Sequence, residues 1–172
     1  PKHAVSVADF DRFTAEVQLL ERVVSSRAQQ AEVVDAWWDY VPRAVDQQRV
    51  EQGRALLGEW QESMAAIETS FGVEPSVFTA IWGLESDYGA SRGSLPLLDV
   101  WVTRACTERR PLWRANVYAS IRLLRDEVVS AEDLVGSWGG AFGLTQFIPT
   151  SYEELGVDGD GDGRVDLVHS VP

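Results

Sequence analysis

The sequence predicts a mostly α-helical protein, and three observations carry that reading. Apolar residues recur at steps of three and four in Val50, Leu57, Trp60, Met64, Ile67 and Phe71, and again in Trp113, Val117, Ile121, Leu124 and Val128. Helix boundaries are punctuated by Gly72 and Gly89 as stops and by Pro75 and Pro111 at first-turn positions. Neither a long period-two run nor an internal repeat is present.

In chain order, residues 8–35 are rich in helix formers and predict one or two helices. Trp37, Trp38 and Tyr40 lead to Pro42, which marks a break. One long helix is expected from Asp46 to Phe71, closed by Gly72. A second opens at Pro75 and runs toward Glu85, with Gly89 as its stop. Ser94 to Pro96 connect to a helix over about 97–106, and the next begins near Pro111. Ser130 with Asp133 has the pattern of a cap for a short helix. The glycines between 136 and 143 deny regular structure and leave a small irregular β region. Thr150 or Ser151 then caps a last helix through Leu155. The organisation expected is an N-terminal helical region over residues 1–70 and a core over 71–172.

At 172 residues and 45% hydrophobic content, the chain can bury one real core. A formal charge of -12 argues against nucleic acid as a partner, because phosphate needs a basic face. Cys106 is the single cysteine, which rules out an internal disulfide. No apolar run approaches the length of a membrane span. The start at Pro1 leaves room for a lost N-terminal anchor or targeting segment. Most of the seven tryptophans read as core, although flat rings also serve sugar clefts.

Glu85 ends an apolar helix on whose stripe Phe78, Ile81 and Trp82 also fall. Desolvation by Trp82 and Phe78 is expected to disfavour its charged form, and the negative helix end acts the same way. Such an acid can donate a proton to a glycosidic oxygen. The plain alternative is a solvated helix-end glutamate. A second carboxylate is not evident: Asp87 points away along the helix, and Asp99 suits a structural hydrogen bond. Gly139, Gly140 and Gly143 remove side chains where a ligand could approach backbone, and Gln146 offers the donor and acceptor that suit an amide. A flexible loop is the alternative, but Phe142, Phe147 and Ile148 make this segment too apolar for a free linker.

Asp158, Asp160, Asp162 and Asp166 stand at positions one, three, five and nine of an EF-hand-like calcium loop, with Gly163 at six and the Arg164 carbonyl at seven. Position twelve is His169 where a bidentate glutamate is usual. Calcium there would be structural.

Glu85-Ser86-Asp87-Tyr88-Gly89, with the run from Gly140 through Gln146 to Tyr152, resembles the membrane-bound lytic murein transglycosylase B family from about Val50 to Asp166. The resemblance implies a lysozyme-like helical core that cleaves the MurNAc–GlcNAc bond of peptidoglycan without water and leaves a 1,6-anhydro-muramoyl end. Glu85 matches the family's lone acid/base. Gln146 matches a substrate-contacting glutamine, and Arg109 and Arg110 match a pair facing the muropeptide. Guanidinium forks suit its carboxylates, the alternative being a solvated patch with Arg104 and Arg114. Ser86, Tyr88, Phe142, Gly143 and Tyr152 complete the implied contact set, with packing the stronger reading for Tyr152. The resemblance further implies calcium without an organic cofactor, glycan strands as partner, a monomer, and a periplasmic or cell-envelope location. Family chains continue past the calcium loop, so a core truncated at its C-terminal end is expected. A goose-type-lysozyme-like hydrolase and a non-catalytic glycan-binding module are the alternatives.

Overall fold

A computed structural model describes residues 4–25 and 36–170. The helices are α1 (Val7–Thr14), α2 (Glu21–Ser25), α3 (Trp37–Ala44), α4 (Gln47–Glu59), α5 (Gln61–Phe71), α6 (Pro75–Ser86), α7 (Leu97–Thr107), α8 (Pro111–Arg125) and α9 (Pro149–Leu155). A two-residue antiparallel ladder pairs β1 (Leu95–Pro96) with β2 (Val135–Gly136), placing Leu95 opposite Gly136. The mostly α class and the small β region beside the glycines are both present. Residues 26–35, part of the expected N-terminal helices, lie outside the described residues. Among the described residues no helix is long and apolar enough to cross a membrane.

Local chemistry explains most boundaries. The Ser6 hydroxyl caps α1 by accepting from the Asp9 amide, and Asp46 caps α4 by accepting from Arg49. Gly72 closes α5 in the left-handed conformation, φ 68°, as its type allows. Other boundaries differ from expectation. Pro42 sits inside α3 rather than ending it; its missing N–H leaves the Trp38 carbonyl without a helical donor, in a short helix that has no buried residue. The single helix expected from Asp46 to Phe71 is broken at Trp60, whose φ of -102° and ψ of 22° are non-helical. Val128 lies beyond α8. Ser130 and Asp133 do make their mutual bonds, at 2.7 and 3.1 Å, around a turn rather than a helix. Ile148, not Thr150 or Ser151, precedes α9, with Pro149 at its first position.

The core gathers Leu97, Leu98 and Trp101 of α7 against Val117, Ile121 and Leu123 of α8, with Leu134, Phe142 and Tyr152 closing over them. Each large aliphatic or aromatic side chain buried there contributes about 1.5–3 kcal/mol. Asn116, fully buried on α8, accepts from the Thr150 amide at 3.0 Å and donates to Leu112 at 2.9 Å, which fixes α9 against α8. The tryptophans divide: Trp82 and Trp101 are buried, whereas Trp37 and Trp38 stand 70% and 62% exposed.

Trp101 fixes the glycine segment. Its indole N–H donates to the Gly140 carbonyl at 3.1 Å. Gly140 has φ 93°, and a Cβ there would stand 2.4 Å from the indole ring. Gly140→Ala is therefore expected to cost about 2–4 kcal/mol, from overpacking plus the left-handed penalty. Thermal denaturation monitored by circular dichroism checks this.

Candidate active site

The chain around Glu85 is shaped by an unusual turn. α6 ends one residue after the acid, and Asp87 (φ 52°), Tyr88 (φ 55°) and Gly89 (φ 92°) all adopt positive φ. The expected stop at Gly89 thus comes after two non-glycine residues in the left-handed region, each costing about 1–2 kcal/mol. Several contacts offset that cost. The buried Ser86 hydroxyl donates to the Leu144 carbonyl at 2.6 Å and accepts from the Gly89 amide at 2.9 Å. The Ser86 carbonyl accepts from Ser91 at 2.8 Å. The Tyr88 hydroxyl donates to the Arg49 carbonyl at 2.9 Å, and its ring meets Trp82 edge-on at 5.5 Å. Burial pushes the Tyr88 hydroxyl above its ordinary range, so it remains a donor. Arg49 Nε reaches Asp87 Oδ1 at 3.2 Å.

Glu85 is exposed and takes no hydrogen bond or ion pair among the described residues. This corrects the expected desolvated setting. Trp82 turns inward onto Tyr88 instead of shielding the carboxylate, and Phe78 is only half-buried. The apolar surface beside the acid consists of Val77, Ile81 and Leu84, which are 47%, 46% and 51% exposed. They form an uncovered strip one helix face wide.

The glycine segment meets this turn directly. Leu144 accepts from Ser86, and a Cβ on Gly89 would stand 2.8 Å from the Leu144 side chain. Gly143 has φ 78° and lies so close to Leu167 that a Cβ would be 2.6 Å from its carbonyl oxygen. Gln146, at φ 53°, donates its amide to the Gly143 and Arg92 carbonyls at 3.0 and 3.3 Å. Its donor side supports the loop, which leaves the side-chain oxygen as the acceptor it can offer a ligand.

Other members of the expected contact set lie behind the surface. Phe142 and Ser86 are 0% and 1% exposed, so neither presents area to a ligand. Tyr152 is buried against Phe142, with ring centroids 5.7 Å apart, and its hydroxyl donates to the Val165 carbonyl. Their place is structural support, as is that of Tyr88. Arg109 and Arg110 are exposed at the α7–α8 junction, where Arg110 lies 3.7 Å from Glu108 and 5.5 Å from the Trp113 ring. Arg104 is not part of a solvated patch. It is buried, within 5.1–5.8 Å of the Trp101, Trp113 and Trp138 rings, and donates to the Trp138 carbonyl at 3.3 Å. Its place three residues after Trp101, on one helix face, was the available signal.

In the aspartate loop, one carboxylate oxygen from each of Asp158, Asp160 and Asp162 lies within 4.8 Å of the others. Their second contacts run to loop amides: Asp158 accepts from Gly161 and Gly163 at 2.7 and 2.8 Å, and Asp162 accepts from Arg164 at 2.8 Å. Asp166 departs from expectation. Its Oδ1 accepts from the Val168 and His169 amides at 2.7 and 2.9 Å, capping the next turn instead of joining the group. His169 turns to Asp133 at 2.9 Å. Three converging carboxylates fit a hard cation of the calcium type. A groove of about 1140 Å³ lies nearby between α8, α9 and this loop, but Glu85 does not line it. Its Arg122–Glu153 and His169–Asp133 pairs already engage one another.

Fold and site together define a lysozyme-like helical core of the lytic transglycosylase type. The chain matches the transglycosylase SLT domain over residues 1–172 and belongs to that family. It is 28% identical over 134 residues to membrane-bound lytic murein transglycosylase B of Escherichia coli (strain K12), covering 77% of this chain and 37% of the relative. SltB3 from Pseudomonas aeruginosa, solved in complex with NAG-anhNAM-pentapeptide, is 36% identical with a TM-score of 0.86, covering 97% of this chain and 45% of that one. The Escherichia coli lytic transglycosylase SLT35, solved in complex with calcium, is 25% identical with a TM-score of 0.84, covering 96% and 54%. The chain spans about half or less of the length of these relatives.

Ser86→Ala would leave the partly buried Leu144 carbonyl without its side-chain donor. The expected loss is about 1–3 kcal/mol, read as a lowered midpoint in urea denaturation at unchanged slope.

Proposed function

We propose that this chain carries the peptidoglycan-cleaving unit of a lytic transglycosylase, with Glu85 as the single acid and base. The observation that supports this most is the place of Glu85, exposed and without a side-chain partner among the described residues, at the end of a helix that Ser86 joins to the Gln146 loop. The nearest carboxylate in sequence, Asp87, is held by Arg49.

In the first step Glu85 gives its proton to the glycosidic oxygen as the C1–O bond breaks, and the GlcNAc leaves as an alcohol. The muramoyl 2-acetamido oxygen closes on C1 and shares the positive charge. In the second step the Glu85 carboxylate takes the proton of the muramoyl 6-hydroxyl. O6 bonds to C1, the acetamido oxygen is released, and the acid is restored. No water is consumed, which agrees with the engagement of Asp87, the nearest carboxylate in sequence, by Arg49. The relative bound to NAG-anhNAM-pentapeptide lends support to the anhydro product.

The other assignments follow the same reading. The Gln146 side-chain oxygen accepts from the acetamido N–H, and the Gly143 backbone lets the sugar approach. Arg109 and Arg110, exposed, meet the carboxylates of the peptide stem. A strand laid over Val77, Ile81 and Leu84 excludes water from the acid as it binds. Asp158, Asp160 and Asp162, with the Arg164 carbonyl, hold calcium, whose charge offsets their mutual repulsion and braces the loop. The envelope outside the cytoplasmic membrane is where such a substrate lies.

Digestion of purified sacculi, with products read by mass spectrometry, tests the reaction. The expected products carry 1,6-anhydro-muramoyl ends, and Glu85→Gln is expected to slow their release by about 10²–10⁴-fold with the melting temperature unchanged. Reducing ends instead would make the enzyme a hydrolase, and binding without products would make it a glycan-binding module. Calcium at a hundredfold excess over its Kd is expected to raise the melting temperature by about 5–10 °C, reversibly on chelation. Differential scanning calorimetry checks this, and a curve indifferent to chelator removes the structural ion.

A further inference from the structure

We infer that Arg49 and Tyr88 are positioning residues for Glu85, fastening the turn behind the acid to α4; this rests on the reading of Glu85 as the acid and base. Non-glycine residues keep positive φ only where their surroundings over-determine them. Here the surroundings come from far away in sequence, and one residue supplies contacts to both left-handed positions. The Arg49 side chain holds Asp87 at 3.2 Å, and its backbone carbonyl accepts from the Tyr88 hydroxyl at 2.9 Å. Arg49 is itself held, because its amide donates to Asp46 at 2.8 Å and its guanidinium to the Ala44 carbonyl.

The helices are shaped to admit this contact. A Cβ on Gly53 of α4 would stand 2.4 Å from the Tyr88 hydroxyl oxygen, and one on Gly83 of α6 would stand 2.6 Å from the ring. Two absent side chains make the slot into which the phenol fits. Glu85 therefore sits between two fasteners. Ser86 ties its helix end to the glycine segment on one side, and Arg49 with Tyr88 ties the following turn to α4 on the other. α4 in this way sets the direction of the carboxylate without touching substrate.

The test compares Arg49→Met, Arg49→Lys and Tyr88→Phe in the full chain, measuring kcat and KM on soluble glycan strands and amide hydrogen exchange over residues 86–91. Arg49→Met is expected to lower kcat by about 10–100-fold with KM held within about twofold, since misplacement of the acid spares glycan contacts. Exchange at the Asp87, Gly89 and Ser91 amides rises in the same variant. Arg49→Lys restores part of kcat by returning the charge beside Asp87. Tyr88→Phe keeps the ring, gives a smaller loss in the same direction, and decides the matter if Arg49→Met does not fold. Unchanged exchange over 86–91 overturns the inference, as does a wild-type kcat per folded molecule, or a loss carried by KM. A wild-type chain without turnover overturns the Glu85 reading and this inference together, and is told apart because the unaltered protein already fails.

Discussion

The buried Ser86 hydroxyl is the junction on which the site depends. It reaches across 58 residues of sequence to the Leu144 carbonyl, and the same oxygen receives the Gly89 amide. The helix bearing the acid and the loop bearing Gln146 are thereby fixed to one atom. A hydrogen bond of this kind is modest in net stability, but leaving a partly buried partner unpaired is costly. Its effect is geometric as much as energetic. On the proposed reading, Glu85 needs a fixed place relative to the glycine segment, and its neighbour in sequence supplies that place.

Helical class and most boundaries were legible in sequence because they arise from local chemistry. Gly72, Pro75, Pro111 and Asp46 act within a turn of themselves, and the structure uses each as a boundary signal. The break at Trp60 was not legible, because Val50 to Phe71 keeps its apolar period across it. Likewise Pro42 signals a break by its chemistry, yet a short helix with no buried residue continues past it despite the lost bond to Trp38.

The candidate site was legible in its motif residues and illegible in their environments. Glu85 and Gln146 stand at the two sides of one junction, but sequence spacing alone placed Trp82 over the acid. The stripe holding Phe78, Ile81, Trp82 and Glu85 is broad enough for Trp82 to face inward while Glu85 and Ile81 face out. Ser86, Phe142 and Tyr152 belong to the same motifs because they hold the geometry from beneath. The aspartate loop divides similarly. Alternation set Asp158, Asp160 and Asp162 together, whereas Asp166 met amides of the next turn that no spacing rule includes.

The guanidinium of Arg104, enclosed by three indoles, has an optical consequence. Trp101, Trp113 and Trp138 surround one fixed cation, and Trp138 begins the glycine segment. Indole emission responds to charge at such distances, so the cluster gives that segment a built-in fluorophore. Its share of the emission, beside that of the four other tryptophans, would follow displacement of the loop during a titration without any attached dye.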